Sequence, residues 1–212
     1  MPASGLARLM RLLGRVALVY MCLFVLWLFV ADDYHLLLAR GAACLIPLVV
    51  DAKIERVWLA EGGVRFDILF TERDENSPLR ADQAVAGYPR IDITQYGYPL
   101  LTFMALALGI PGPRWPRKTA LLLLGVAVLF CIYSTWVMVA VYQALADNQD
   151  IPFLRSNAVL RLVPPDLYAR YKIPLLVILG QVLPVSLYGI LLFRPQLRPL
   201  GGRTRRYRAT GK

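Results

Sequence analysis

Four long apolar runs, Leu12 to Ala31, Gly97 to Pro111, Thr119 to Ala146 and Ile173 to Phe193, constrain this chain more than any other feature of its sequence. A bilayer core of ~30 Å is crossed by ~20 helical residues, so the first, third and fourth runs are long enough as they stand. The second reaches that length only if it starts near Thr94 or Tyr96. Apolar residues are 58% of the 212, with a mean hydropathy of +0.52, more than a soluble core of this size can hide. The expected fold class is a membrane protein, mainly α, with four transmembrane helices.

The net charge of +10 is placed rather than spread. Arg8, Arg11 and Arg15 precede the first expected helix, 16–31, and Arg114, Arg117 and Lys118 lie between the second and third runs. Seven more basic residues, from Arg194 to Lys212, follow the fourth. These segments contain no Asp or Glu, whereas Asp32 to Gln95 holds eleven acidic and seven basic residues. Basic segments stay cytoplasmic, which predicts both termini inside and the 64-residue segment 32–95 outside. Nucleic acid is not an expected partner, because topology and anionic lipid headgroups already account for the basic tail.

The first run is too long for the apolar core of a cleavable signal, and Ala31-Asp32-Asp33 offers no small-x-small site, so it reads as an uncleaved anchor. Cys22 and Cys131 fall inside expected spans and Cys44 just beyond one. They read as small packing residues rather than a disulfide framework. The expected organisation is a basic terminus 1–15, helix 16–31, an outer segment 32–95, helix 96–112, an inner loop 113–118, helix 119–146, an outer loop 147–172, helix 173–193 and a basic tail 194–212.

Within the outer segment, "HLLLARGAACLIPLVV" (35–50) carries Arg40 in its middle. It reads as a helix on, or rising from, the outer surface until Pro47. Val64, Phe66, Ile68 and Phe70 then repeat with period two, and Glu61-Gly62-Gly63 connects them to a strand at about Ile54 to Leu59, which is a hairpin pattern. The stretch 71–87 is polar and holds Pro78 and Gly87, an irregular excursion. "YPRIDIT" supplies a third strand of a small antiparallel sheet between helices 1 and 2. At the strand-to-helix join, Tyr96 and Tyr98 are expected at headgroup depth with wet hydroxyls. Gly97 would permit the change of direction, and Pro99 would fall in the first helical turn. In the outer loop, Phe153 to Val163 alternates apolar residues with Arg155 and Arg161 and reads as an amphipathic interfacial segment. Pro184 should kink the last helix, and Gln181 needs a partner within the bundle or in another protein.

Chemistry is sparse. His35 is the only histidine and no acidic residue lies inside a run, so no metal, cofactor or catalytic site is expected. Asp32, Asp33 and His35 read as a solvated helix end. On one helix His35 and Cys44 would lie nine residues apart, on opposite faces and ~13 Å along the axis, too far for a thiolate–imidazole pair. Nucleotide-binding and serine-hydrolase motifs are absent.

The join reads "QYGYPL", Gln95 to Leu100, followed by an apolar run to Pro111 and a basic turn. Here the chain resembles the exosortase H-associated membrane protein family, small bacterial inner-membrane proteins with one helix, an outer strand-rich segment and three further helices. Their second helix opens on a "YGYGLPL"-like junction; this chain lacks the extra Gly-Leu before the proline. The resemblance implies a non-enzymatic accessory of a membrane-embedded cysteine transpeptidase that sorts exported proteins bearing a C-terminal tail. It implies an integral membrane partner and no catalytic residues. Two other classes stay open on the residues alone: a small transporter or permease subunit using Gln181, and an envelope enzyme using Asp32, Asp33 or His35.

Overall fold

In the computed structural model, residues 3–49, 52–61, 63–70, 85–93, 96–111, 115–146 and 165–193 are described. Helix α1, Ala3–Leu45, is unbroken over 43 residues, about 65 Å at ~1.5 Å per residue. It passes through Asp32 and Asp33 without interruption, because both side chains lie on its exposed face. The stretch 35–50, expected as a helix on or rising from the outer surface until Pro47, is the continuation of α1. Its buried positions His35, Leu38, Ala39, Ala42 and Ile46 recur at helical spacing, with Arg40 on the exposed side. A 3₁₀ turn, Ile46–Leu48, containing Pro47, ends the rise.

Strands β1 (Ala52–Ala60) and β2 (Gly63–Phe70) form the hairpin, paired from Ala52 with Phe70 to Ala60 with Gly63, with a bulge between Ile54 and Arg56. The period-two set is the core face: Val64, Phe66 and Ile68 are fully buried and Phe70 nearly so. Gly63 has φ +153, and a Cβ there would meet the Ile91 carbonyl oxygen, so this turn requires glycine. The third strand is two short pieces on the other edge of β2: β3 (Val85–Gly87) and β4 (Arg90–Ile91). Pro89 between them has no N–H to give the ladder, but its carbonyl accepts from Phe66 N at 3.1 Å.

Helix α2 is short, Tyr98–Gly109. Helix α3 covers Trp115–Ala146. The last helical segment begins earlier than expected, at Pro165, a residue suited to the first helical position. It comprises α4 (Pro165–Val177), a π turn (Ile178–Val182) and α5 (Leu183–Phe193). Three helical segments, Gly5–Leu48, Trp115–Ala146 and Leu167–Leu191, are long and apolar enough to cross a membrane, and Tyr98–Gly109 is a shorter apolar helix. Most of the excursion 71–87, the segment Phe153 to Val163 and the tail 194–212 lie outside the described residues.

The length of α3 has a physical reason. From Trp115 to Trp136 only Gly125, Leu129, Tyr133 and Ser134 are buried, one stripe at helical spacing, whereas from Val137 to Ala146 every residue but Ala144 is buried. That end is enclosed by α1 beyond Asp33 and by the sheet. Tyr142 Oη donates to the Ile46 carbonyl at 3.2 Å and Ser134 Oγ to the Leu38 carbonyl at 3.4 Å. Two apolar helices thus run without a joint into the core of the sheet.

Candidate functional site

The site is assembled where β4 leads into α2. Ile93 O accepts from Tyr96 N at 3.1 Å and Gly97 O from Leu100 N at 3.1 Å, so the chain turns directly from strand to helix. Gly97 has ordinary helical angles, φ −78 and ψ −39. It is needed for close approach rather than for conformational freedom, since a Cβ at Gly97 would land on the Trp27 ring. At the other end of α2, a Cβ on Gly109 would lie 2.9 Å from Val16 Cα. The helix is therefore laid along α1 between Val16 and Trp27. Pro99 sits in its first turn, where a missing N–H leaves no bond unmade.

Tyr96 departs from the expectation of a wet interfacial ring. It is 2% exposed and tilts against Tyr133, ring centroids 6.0 Å apart, while Tyr98 is exposed. His35 departs from it too: rather than sitting at a solvated helix end, it is 6% exposed and edge-on to Trp27 at 5.9 Å and Tyr34 at 6.1 Å. Asp32 and Asp33 are exposed, as is Cys44, on the same continuous helix as His35.

Pro184 shapes the neighbouring wall. In an α-helix the Leu179 carbonyl accepts from residue 183, and in a π turn from residue 184. Leu183 N instead donates to Ile178 O, and residue 184 is a proline without an N–H. Leu179 O is thus left to a side chain, and Tyr133 Oη donates to it at 2.6 Å. At the proline expected to kink the helix the backbone forms this π turn, pinned to α3 by one tyrosine hydroxyl.

Tyr96, Tyr98, Pro99 and Gln181 come together around a cavity of about 360 Å³, closed by Tyr133 and by apolar residues of α4 and the π turn. Gly97 and Pro184 stand just behind its walls, Gly97 against Trp27 and Pro184 next to the π turn it enforces. A second cleft of about 620 Å³ shares Tyr96, Ile173 and Leu176 with the first and adds Arg90, Asp92, Gln143 and Lys172. Sequence reasoning missed Tyr133, Trp27 and this polar extension. Gln143, buried to 4% near the end of an apolar run, was the available signal for the last. Among the described residues no group of three His, Cys, Asp or Glu could hold a metal ion.

No curated protein and no solved structure matches the chain. The family model of the exosortase H-associated membrane proteins matches residues 6–187, from the first turns of α1 to the middle of α5. With a match that reaches every described helix and spans the sheet between them, the chain belongs to the exosortase H-associated membrane protein family.

Proposed function

We propose that this protein is a non-catalytic accessory that crosses the bacterial inner membrane four times, with both termini cytoplasmic, and acts as an adaptor for an exosortase-type transpeptidase or its tailed substrates. The observation that carries the reading is mechanical. Helices α1 and α3 continue unbroken into the core of the sheet, so the sheet is held at a fixed height and orientation relative to the apolar segments. An adaptor needs that rigidity to present a partner's outer face, and a surface already held in place loses little entropy on binding.

Two further features favour holding over chemistry. His35 and Cys44 lie nine positions apart on one unbroken helix, about 13 Å along its axis, and the histidine is buried between aromatic rings. The apolar faces of α1 and α4, with Phe29 81% and Ile173 74% exposed, suit packing against other helices as well as against lipid.

The test is copurification from native membranes in mild detergent with mass spectrometric identification. Recovery of a membrane transpeptidase or its tailed substrates, retained by His35→Ala, is the expected result. Recovery of the chain alone, or with transporter subunits, would refute the adaptor role.

A further inference from the structure

The two cavities at the join form one cleft whose polarity changes along its length. The inner part, about 360 Å³, is bounded by Pro99, Val177, Leu179 and Gly180. The outer part, about 620 Å³, carries Arg90, Lys172 and Asp92 at its mouth, and all three side chains are exposed. Tyr96, Ile173 and Leu176 line both parts, so one elongated molecule can occupy them together.

The depth of each part follows from α1. Gly97 packs on Trp27, five residues before Asp32, or ~7.5 Å along the helix. The inner cavity therefore opens beside the apolar stretch of α1, on the arginine side of its acidic pair. Lys172 stands immediately before the apolar run that starts at Ile173. The cleft thus passes from apolar to charged in the direction in which a lipid leaflet does.

We propose that this cleft binds one anionic phospholipid, with an acyl chain in the inner cavity and the phosphate at Arg90 and Lys172. Among the described residues at the mouth, two cations against one carboxylate leave one positive charge, which a headgroup of net charge −1 complements and a zwitterionic one does not. Exposed cations close to a membrane surface each add about 1 kcal/mol to the attraction for an anionic lipid. The proposal goes beyond the adaptor reading and does not depend on it, since the isolated protein should bind the lipid without a transpeptidase.

The full-length protein is delipidated in detergent and offered phosphatidylglycerol or phosphatidylethanolamine in mixed micelles, and lipids retained per chain are counted by native mass spectrometry. Wild type is expected to retain one phosphatidylglycerol, with a preference of about tenfold over phosphatidylethanolamine, the size of effect two interfacial cations supply. Arg90→Gln with Lys172→Gln should remove the preference, and Arg170→Gln, exposed and off the cleft, should keep it. Gly180→Leu tests the inner part: a Cβ there has Pro99 Cγ as nearest neighbour at 3.8 Å, so the added side chain fills the cavity and should lower retention of both lipids. Equal retention of the two lipids by wild type, unchanged preference in the double variant, or a peptide recovered in place of lipid would each overturn the proposal.

Discussion

The hydrogen bond from Tyr133 to Leu179 should be measurable as a contribution to stability, because Pro184 makes it necessary. Tyr133→Phe removes the hydroxyl that donates at 2.6 Å, a short distance for this bond type. The Leu179 carbonyl then has neither a backbone nor a side-chain donor; an orphaned acceptor costs ~1–3 kcal/mol when fully buried, and less at this partly buried position. Double-mutant cycles on helix-to-helix bonds in membrane proteins average ~0.6 and reach ~1.7 kcal/mol, so a loss of ~1 kcal/mol is expected. Pro184→Ala restores an N–H that can donate to Leu179 in the π register, or lets the turn relax so that Leu183 does. In that background Tyr133→Phe should cost only a few tenths of a kcal/mol, leaving a coupling of ~0.5–1 kcal/mol. The four proteins are compared by reversible unfolding in mixed micelles of denaturing and mild detergent. A Tyr133→Phe cost that is the same in wild type and in the Pro184→Ala background would refute the argument that the proline creates the acceptor.

Other residues give independent tests. Gly97→Ala drives a methyl into the Trp27 ring and should destabilise by ~1–3 kcal/mol; Trp27→Phe, which removes the ring atoms in the way, should recover part of that loss in a thermal shift assay. Phe66→Ala, at a fully buried position of β2, should cost ~3–5 kcal/mol, whereas Arg65→Ala on the exposed face should stay within ~0.5 kcal/mol; similar losses would mean the sheet does not pack by its alternating face. Orientation is checked by single-cysteine labelling in a cysteine-free background: Ser77 should react with an impermeant reagent from outside and Thr204 should not, and the reverse pattern would invert the proposed topology. Gln181→Leu should weaken partner capture only slightly, and loss of a measurable solute flux in that variant would favour the transporter class instead.

The sheet was legible because a single face of β2 is buried, and period two survives in Val64, Phe66, Ile68 and Phe70 whatever covers them. The continuity of α1 was not, since Asp32-Asp33 looks like the end of a span when only hydropathy is read. Both are exposed while His35, Leu38 and Ala42 are buried, and that partition lets the helix continue. In α3 the boundary between lipid-facing and enclosed residues leaves no mark on hydropathy, because lipid and a protein core select the same side chains. Tyr96, Tyr98 and Pro99 were legible as the strand-to-helix junction and Gln181 apart from them as a polar residue in a span, and the fold brings all four to one cavity. Nothing local could have joined Tyr133 to Leu179, which are 46 residues apart, although Pro184 alone implied that some nearby carbonyl would need a donor.

The shortness of α2 ties these parts together. Twelve residues give ~18 Å, well below a ~30 Å core, so α2 cannot match α1 end to end. One end is fixed: Lys118 Nζ donates to the carbonyls of Leu108 at 3.0 Å and Ile110 at 3.2 Å, closing the helix near Val16 and the Arg8, Arg11 and Arg15 side of α1. The whole shortfall therefore falls at the Tyr98 end, next to Trp27. Tyr96, Tyr98 and the π turn meet there instead of a further turn of α2, and the cavity lies between them.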